Sequence, residues 1–297
     1  MCFFIVSQAL NLPMEKHTPR KLDVVVISDV HLGTYGCRAK ELLRYLKSIR
    51  PKTLILNGDF VDIWQFSKRY WPKSHMKVVK HVTKLVSKGV KVYYVTGNHD
   101  ELFRKFVPFR LGSFRIVNKV LLQLEGGEKA WIFHGDVFDV TMRHSKWLAK
   151  LGAVGYDSLI ILNSFVNFLS ERVFKKGKIS LSKKIKNSVK KAVSYINDFE
   201  QTAAEIGISN GYAYVVCGHI HHPGIRKIAS AGGEITYLNS GDWVENLTAL
   251  EYNQGKWELY QYREEEFTDN SFPDEDDRST SELFDEMVRE FDLLKAV

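Results

Sequence analysis

Five apolar runs of the sequence each end on side chains that can bind a metal ion. Their ends read Asp29-Val30-His31, Gly58-Asp59-Phe60-Val61-Asp62, Gly97-Asn98-His99-Asp100, His134-Gly135-Asp136 and Gly218-His219-Ile220-His221. Carboxylates, imidazoles and one amide form a mixed oxygen and nitrogen ligand set, which suits Mn, Fe or Zn better than Ca or Mg. Seven candidate ligands are too many for one tetrahedral ion but suit two ions that share a carboxylate. Paired ions of this kind catalyse phosphoryl displacement.

The elements that precede these residues predict a sheet that brings them together. Buried strands are predicted at Leu22–Ile27, Thr53–Leu56 and Val90–Val95, with helices over Arg38–Ile49 and Met76–Val86 between them. Pro51 is expected to close the first helix. The alternation of strand and helix predicts parallel pairing. Because sites in open α/β sheets lie at the carboxyl ends of the strands, the polar strand ends should share one crevice.

After residue 113 the sequence is richer in strands. The predicted strands are Phe114–Val117, Lys119–Leu124, Lys129–Phe133, Tyr212–Cys217, Glu234–Leu238, Leu247–Tyr252 and Trp257–Tyr262. Asn253-Gln254-Gly255 is typical of a hairpin turn between the last two. The segment from about 137 to 208 has a helical pattern instead. We therefore predict an α/β body that is interrupted by one helical insertion.

Charge is distributed unevenly along the 297 residues. The last 34 residues, 264–297, contain 13 acidic and 3 basic side chains, a net charge of −10, whereas the rest of the chain has a net charge of +17. A basic body favours acidic partners, namely phosphorylated small molecules, nucleic acid or an anionic membrane surface. The alternative is a merely soluble body with a solvated acidic tail.

The cysteines and the N-terminus indicate the compartment. Cys2, Cys37 and Cys217 are widely separated, so they form neither a disulfide framework nor a zinc-knuckle spacing. The first ten residues, MCFFIVSQAL, are too short to span a bilayer and lack the basic flank of a secretory signal. We expect a cytoplasmic protein with an N-terminal lead at 1–21, a main domain at 22–263 and an acidic tail at 264–297. Ser279 and Glu282 predict a capping box for a short terminal helix that docks on the body.

Taken in order, the five motifs resemble those of the calcineurin-like metallophosphoesterase superfamily, over Ser28 to about Trp243. The resemblance implies a four-layer α/β/β/α sandwich with a helical cap insertion and two divalent ions, Mn²⁺ by preference, with Zn²⁺ or Fe as alternatives. It implies that Asp29, His31 and His221 bind the first ion, that Asn98, His134 and His219 bind the second, and that Asp59 bridges them. His99 matches the catalytic histidine near the leaving group, and Asp62 matches the carboxylate that orients it and keeps it protonated.

The insertion suits a substrate cap because it lies beside the expected crevice. Leu151–Leu169 contains a single charge, Asp157, and its polar residues fall on one stripe, which favours an amphipathic helix over a membrane span. Arg172–Lys191 contains nine basic residues and no acidic one. Lys183, Lys186 and Lys190 share a helical face and are candidate substrate-binding residues. Acyl chains with phosphates, or an anionic membrane, would suit such a pair of helices; a dimer or core face with a solvated basic side is the alternative.

Within the superfamily, the motif order, the insertion and the closing Asn239-Ser240-Gly241-Asp242-Trp243 resemble the UDP-2,3-diacylglucosamine pyrophosphatase-like branch. That resemblance implies hydrolysis of a nucleotide-linked lipid pyrophosphate to UMP and a lipid monophosphate in lipid A synthesis, at the inner face of the membrane. One departure is His99, where characteristic members have Arg. A broader phosphodiesterase that acts on nucleotides or nucleic acid is the alternative, although no basic stretch interleaved with aromatic residues supports nucleic-acid binding. A scaffold that has lost its metals is disfavoured because all seven ligands and His99 are present.

Overall fold

The computed structural model describes residues 18–65, 70–140, 182–267 and 278–295. The strands are β1 Arg20–Ile27, β2 Ile49–Asn57, β3 Lys91–Val95, β4 Phe109–Leu111, β5 Phe114–Val117, β6 Val120–Gln123, β7 Lys129–Ile132, β8 Tyr214–Cys217, β9 Gly224–Ser230, β10 Gly233–Asn239, β11 Thr248–Asn253 and β12 Lys256–Gln261. The α-helices are α1 Ala39–Lys47, α2 Lys73–Ser87, α3 Ser182–Ser209 and α4 Thr280–Lys295, and short 3₁₀ helices span Glu101–Phe106, Asp136–Val140 and Glu264–Phe267.

The strands form two sheets, each with parallel strands at its centre. The first has the order β12-β11-β1-β2-β3-β5-β4, and the second has the order β6-β7-β8-β10-β9. Strands β1, β2, β3 and β5 are parallel, as are β7, β8 and β10. Parallel strands whose ends share one edge bring successive loops together. The predicted parallel arrangement of the first three strands is confirmed.

Alternation along β1 shows how the two faces of the first sheet are used. Val25 and Ile27 pack with helices α1 and α2, whereas Val24 and Val26 pack between the two sheets. Successive side chains of a strand point to opposite faces, so a strand covered on both faces is apolar throughout. This explains why the second half of β1, Val24–Ile27, is an uninterrupted run of aliphatic residues.

A third apolar cluster lies outside the second sheet. Phe199 and Ala203 of α3 pack with Val215 of β8 and Tyr237 of β10. Together with the cluster between the sheets and the cluster under α1 and α2, it separates four layers in the order α/β/β/α. The expected fold class is confirmed. The helical insertion was expected from about 137 to 208; residues 141–181 lie outside the described ranges.

Some predicted boundaries are wrong. Helix α1 ends at Lys47, and Pro51 lies inside β2 instead of closing the helix, since β2 begins at Ile49 and Pro51 pairs with Leu22 of β1. Strands β4 and β9 were not predicted: β4 has three residues, and β9 alternates half-buried and exposed residues at a sheet edge. The hairpin turn is confirmed, because Gln254 and Gly255 both have positive φ angles, 50° and 80°.

The terminal helix docks on the body, as its apolar stripe predicted. The Ser279 N–H donates to Glu282 Oε2 (2.6 Å), and the Glu282 N–H donates to Ser279 Oγ (3.3 Å), which is the predicted capping box. Leu283 is fully buried, and Glu286 pairs with Lys80 of α2 at 2.6 Å. None of the helices in the described ranges is long and apolar enough to cross a membrane.

A buried histidine ties α2 to the loop that follows β1. His75 is 1% exposed, and its Nδ1 accepts a hydrogen bond from the Gly33 N–H (3.0 Å). Burial lowers the pKa of His75 to about 4. The neutral ring is therefore the form that the fold needs, because a protonated Nδ1 has no lone pair to accept the Gly33 N–H.

We expect this histidine to make the protein sensitive to acid. A depressed pKa means that the unfolded chain binds the proton first, so the stabilisation is present above the unfolded pKa of about 6.5 and is lost as the pH falls towards about 4. Urea unfolding of the parent and of His75→Gln at about pH 7 and about pH 5 measures this, with a parent loss that exceeds the variant's by about 2 kcal/mol. Equal losses in the two proteins would show that His75 is not responsible.

Candidate metal centre

Backbone hydrogen bonds between neighbouring loops assemble the five motifs. The Asp29 N–H donates to the Gly58 carbonyl oxygen (3.1 Å), and the His31 N–H donates to the Asp59 carbonyl oxygen (2.9 Å). In the second sheet, the Gly218 N–H donates to the His134 carbonyl oxygen (3.0 Å). Each loop is thus fixed to the next by main-chain bonds, and the side chains at the strand ends are held in register.

The strand ends converge, as predicted. Three groups of side chains have ligand atoms within 4.8 Å of one another: Asp29 with His31 and His221, Asp59 with His134 and His219, and Asp62 with His31 and His99. The first two groups fall within the two ligand sets that the motifs imply, joined by the bridging candidate. The third is the catalytic pair implied by the same motifs, with His31 of the first set beside it.

Left-handed backbone conformations are concentrated at these residues. Asp29, His31, Asp59, His219 and His221 have φ angles of 53°, 54°, 52°, 67° and 49°. Such a conformation costs a non-glycine residue about 1–3 kcal/mol and persists only where the surroundings impose it. Its effect here is to turn the chain sharply at the strand end, so that the side chain faces the crevice.

Two glycines leave room for the ligands at close quarters. A Cβ on Gly97 would lie 2.2 Å from Asp59 Oδ1, and a Cβ on Gly58, whose φ is +82°, would lie 2.3 Å from the His134 ring. Neither contact is possible for a real side chain. Gly58, which precedes Asp59, and Gly97, which precedes Asn98, are therefore required by the packing of His134 and Asp59.

Buried acidic and basic side chains face each other across the first group. Burial raises the pKa of Asp29, but His221 and His134 outweigh this and hold the pKa of that carboxyl below its usual range. Burial lowers the pKa of His221, yet Asp29 and Asp242 raise it to about 9. Asp29 Oδ1 lies 3.1 Å from His221 Nε2. The carboxylate is thus ionised and available to a cation.

The second group repeats the arrangement. Burial raises the pKa of Asp59, but His134 outweighs it and holds the pKa of that carboxyl well below its usual range. Burial lowers the pKa of His134, which Asp59 and Asp29 raise well above the usual value. Asp59 Oδ2 lies 3.2 Å from His134 Nε2, and Asp59 Oδ1 accepts the His99 N–H (2.8 Å). Asp59 thus contacts His134 of the second group through one carboxylate oxygen and the His99 main chain through the other.

Unsatisfied atoms show that the site suits metal ions. Asn98 Oδ1 is buried without a hydrogen-bond partner, and Asp29 Oδ1 and His134 Nε2 are buried without a hydrogen bond of good geometry, each facing only the ionisable side chain of another predicted ligand. A buried polar atom of this kind costs about 1–3 kcal/mol unless something pairs with it. All three atoms belong to predicted ligands, and they are the atoms that would coordinate. Carboxylate, amide and imidazole donors are the set that first-row divalent ions accept.

His99 and Asp62 form the predicted pair. The His99 Nδ1–H donates to Asp62 Oδ2 (2.9 Å), and the same oxygen lies 3.6 Å from His31 Nδ1. Burial lowers the pKa of His99, but the hydrogen bond to Asp62 and the charge of Asp59 outweigh it and raise the pKa. Burial raises the pKa of Asp62, and the two histidines bring it below its usual range. His99 is thus held with Nε2 directed away from Asp62.

Sequence reasoning missed the positioning residues behind the ligands. Asp100 accepts hydrogen bonds from the Gly97 N–H (2.6 Å), the Phe60 N–H (3.0 Å) and the Tyr94 hydroxyl (2.6 Å), and so joins two motif loops. Burial and the nearby Asp59 raise the pKa of Asp100 to about 6. Its position as the fourth residue of Gly-Asn-His-Asp was the signal from which it could have been predicted.

Two further residues orient the imidazoles. His134 Nδ1–H donates to the Asn57 carbonyl oxygen (2.9 Å), which directs Nε2 towards Asp59. Asp242 Oδ2 lies 3.8 Å from His221 Nδ1, while Asp242 Oδ1 accepts the Val244 N–H (2.9 Å). Partners of this kind fix the ring orientation of ligating histidines. Asp242 belongs to the closing motif Asn239-Ser240-Gly241-Asp242-Trp243, for which the sequence alone predicted no role in the site.

The remaining histidines and lysines fall outside the convergence. His222 pairs with Glu200 at 3.4 Å and does not join any of the three groups. His75 has the structural role described above. Lys183, Lys186 and Lys190 belong to helix α3, but their side chains lie outside the part that the structure describes. Their predicted role in substrate binding stays a prediction.

Comparison with known proteins decides the family. The model of the calcineurin-like phosphoesterase family matches residues 22–223, which include all five strand-end motifs from Asp29 to His221. The chain belongs to this family. It is accordingly a metal-dependent hydrolase, and the convergence of the motif side chains is the structural expression of that membership.

Curated relatives share most of this phosphoesterase's length. The UDP-2,3-diacylglucosamine hydrolase of Aliivibrio fischeri is 25% identical over 83% of this chain and 100% of its own. The protein of the same name from Blochmanniella pennsylvanica is 25% identical over 78% of this chain and 93% of its own. An archaeal phosphodiesterase of known structure covers 80% of this chain and 98% of its own at 13% identity, with a TM-score of 0.40.

The glycine packing predicts a specific loss of metal binding. Gly97→Ala should displace Asp59 and lower the affinity for Mn²⁺ by about 10–100-fold, the range typical when the support of a ligand is disturbed. Titration calorimetry with Mn²⁺ measures it. Gly126→Ala is the matched control, because its Cβ would meet only the end of the exposed Glu128 side chain. Unchanged Mn²⁺ affinity in a folded Gly97→Ala protein would contradict this packing argument.

Proposed function

We propose that the motif residues hold two divalent ions, as the family motifs imply. Asp29, His31 and His221 would bind the first ion. The second ion would be held by Asn98, His134 and His219, with Asp59 shared between both. The buried Asn98 Oδ1, which has no hydrogen-bond partner, and the clustering of Asp29 with His221 and of Asp59 with His134 support this proposal. The mixed oxygen and nitrogen set favours Mn²⁺, with Zn²⁺ or Fe as the alternatives.

The chain's own residues would then act on the leaving group. The bound ions supply Lewis-acid activation of water and of the phosphate. His99, protonated and oriented by Asp62, would direct Nε2–H at the oxygen that leaves and donate a proton to it or a hydrogen bond. Asp62 would keep the ring in the tautomer with Nδ1–H, which leaves Nε2 for this task. General acid catalysis of this kind contributes about 10²–10⁴-fold.

We infer that the substrate is UDP-2,3-diacylglucosamine, cleaved at its pyrophosphate to UMP and a lipid monophosphate. The observation that carries the inference is the coincidence of a phosphoesterase site with relatives that bear this name and align over their full length or nearly so. The helical insertion, with Lys183, Lys186 and Lys190, would serve as the cap over the acyl chains and phosphates. The main domain would end near 263, before the acidic tail.

Turnover by the purified full chain tests the assignment. With Mn²⁺ present, UMP release from UDP-2,3-diacylglucosamine should exceed hydrolysis of cyclic dinucleotides and single-stranded DNA, and a chelator should abolish it. His99→Gln should reduce kcat by about 10²–10⁴-fold while keeping the bound Mn²⁺, which mass spectrometry of the native protein reports. UMP release no faster than in the His99→Gln protein would exclude the lipid substrate, and loss of Mn²⁺ in that variant would exclude the role given to His99.

We further propose peripheral contact of this edge with the inner face of an anionic membrane. Large exposed apolar side chains lie on the segments that follow three of the motif loops: Trp64, Leu102, Phe106, Phe109 and Val137. The Trp64 indole N–H donates to the Asn98 carbonyl oxygen (3.1 Å), and Arg104 pairs with Asp136, so these residues border the motif loops. The exposed Lys105 and Arg110 lie among them. Apolar and basic side chains together suit an anionic lipid surface.

Vesicle binding tests whether these apolar and basic side chains contact lipid. Replacing Leu102 and Phe106 by Ser should reduce co-sedimentation with phosphatidylglycerol vesicles several-fold, because exposed apolar area drives insertion. Leu259→Ser, an exposed apolar residue on edge strand β12, is the matched control and should bind as the parent does. Equal sedimentation of all three proteins would argue against the proposed contact.

A further inference from the structure

A cavity lies beside the metal centre, and neither His99 nor Asp62 lines it. It has a volume of ≈ 700 Å³ and is lined by aromatic, basic, acidic and hydroxyl side chains, among them Tyr35, Arg38, Glu41, Tyr70, Ser74 and Glu245. Ligand cavities in proteins are typically about 300–1,000 Å³ and combine an apolar surface with a few polar groups that orient the ligand. This one lies within that range of size and offers aromatic side chains together with polar groups.

An aromatic pair forms one side of the cavity. The rings of Tyr35 and Tyr70 lie 3.8 Å apart between centroids, with an angle of 35° between their planes. Tyr70 also contacts the buried His75 edge to face, at 5.9 Å, which anchors the pair to α2. Tyr35 is nevertheless 70% exposed. A tyrosine that is stacked on one face and exposed on the other offers a preformed surface on which a planar ring can stack.

Two of the segments that line the cavity are hydrogen-bonded to the metal centre, one to the predicted ligand His31 and the other to Asp242. Thr34 donates its N–H and its hydroxyl to the His31 carbonyl oxygen (3.1 and 2.9 Å), and Tyr35 follows directly. On the other side, the Glu245 N–H donates to Asp242 Oδ1 (2.6 Å), and Asp242 lies beside His221. The cavity is therefore adjacent to the ligands of the first ion, within reach of a molecule that is bound there through a phosphate.

The strand order separates Tyr35 from Leu102 and Phe106, two of the apolar residues proposed to meet lipid. Tyr35 follows β1, whereas Leu102 and Phe106 follow β3, and β2 lies between them in the sheet. The metal centre thus has an aromatic, polar cavity on one side and an apolar, basic surface on the other. A substrate with a nucleoside at one end of a pyrophosphate and acyl chains at the other matches this division.

We propose that the cavity binds the nucleoside of the substrate, with the base stacked on Tyr35. The polar groups around it, Arg38, Glu41 and Ser74, can donate to and accept from the ribose hydroxyls and the base edge, and stacking supplies the affinity. The proposal rests on the proposed function in that it takes a nucleotide to be one half of the substrate. It assigns the recognition of that half to residues outside the family motifs.

Binding of two probes that differ only in the base tests it. Calorimetry of the Mn²⁺-loaded full chain should show tighter binding of UMP than of ribose 5-phosphate. Tyr35→Ala should weaken UMP binding by about 5- to 100-fold, the effect of losing one base–aromatic stack, and leave ribose 5-phosphate unchanged. Tyr35→Phe should bind UMP as the parent does, and Phe284→Ala, an exposed aromatic residue on α4 outside both the cavity and the lipid surface, should have no effect.

Two results would overturn the proposal: equal affinity of the parent for UMP and ribose 5-phosphate, or UMP binding by Tyr35→Ala that matches the parent. Because binding is measured without turnover, the outcome is separate from that of the hydrolysis assay. If the chain releases no UMP from the lipid substrate yet prefers UMP in a Tyr35-dependent manner, the substrate assignment fails and the nucleoside site stands.

Discussion

Asp29 and Asp59 lie at the carboxyl ends of neighbouring parallel strands, and their carboxylates are almost entirely shielded from water, with 0% and 2% of each residue exposed. A buried carboxylate is expensive unless opposite charge and hydrogen bonds compensate it. Here the compensation comes from the second sheet, through His134 and His221, and from a bound cation in the proposed enzyme. The two sheets must therefore meet in one register at this edge. The loops, the glycines and the positioning residues all help to hold the two sheets in this register.

The same constraint explains where backbone strain is found. Five predicted ligands adopt left-handed conformations, and main-chain hydrogen bonds between successive loops hold several of them there. At about 1–3 kcal/mol for each residue, the strain is comparable to the whole stability of a small domain. The packing of the three apolar clusters offsets the free energy of this strain. The fold thus uses stability from its interior to fix side chains at its edge.

The positions of the candidate ligands at strand ends could be predicted because the sequence signals for them are local. Each ligand follows an apolar run within a few residues, so Asp29, Asp59 and His134 could be placed at strand ends without a structure. Features that depend on distant contacts escaped: Pro51 was read as a helix terminator because its pairing with β1 is not visible along the chain, and edge strand β9 carries only a half-buried alternation. The cavity escaped as well, since its walls come from three separate segments, 35–41, 70–75 and 244–245.

This contrast between local and distant signals bears on how the enzyme would distinguish its substrate. In the proposed enzyme, motif residues such as Asp59 and His134 would hold the ions and support chemistry that any phosphate ester could undergo, so they would not define what flanks the phosphate. Selection must come from surfaces that the motifs position without forming them. In the loop after β1, Tyr35 follows His31 by four residues, and the 3₁₀ helix after β3 begins two residues beyond His99. Substitutions along these two extensions can alter specificity while the buried charges, and therefore the fold, remain intact.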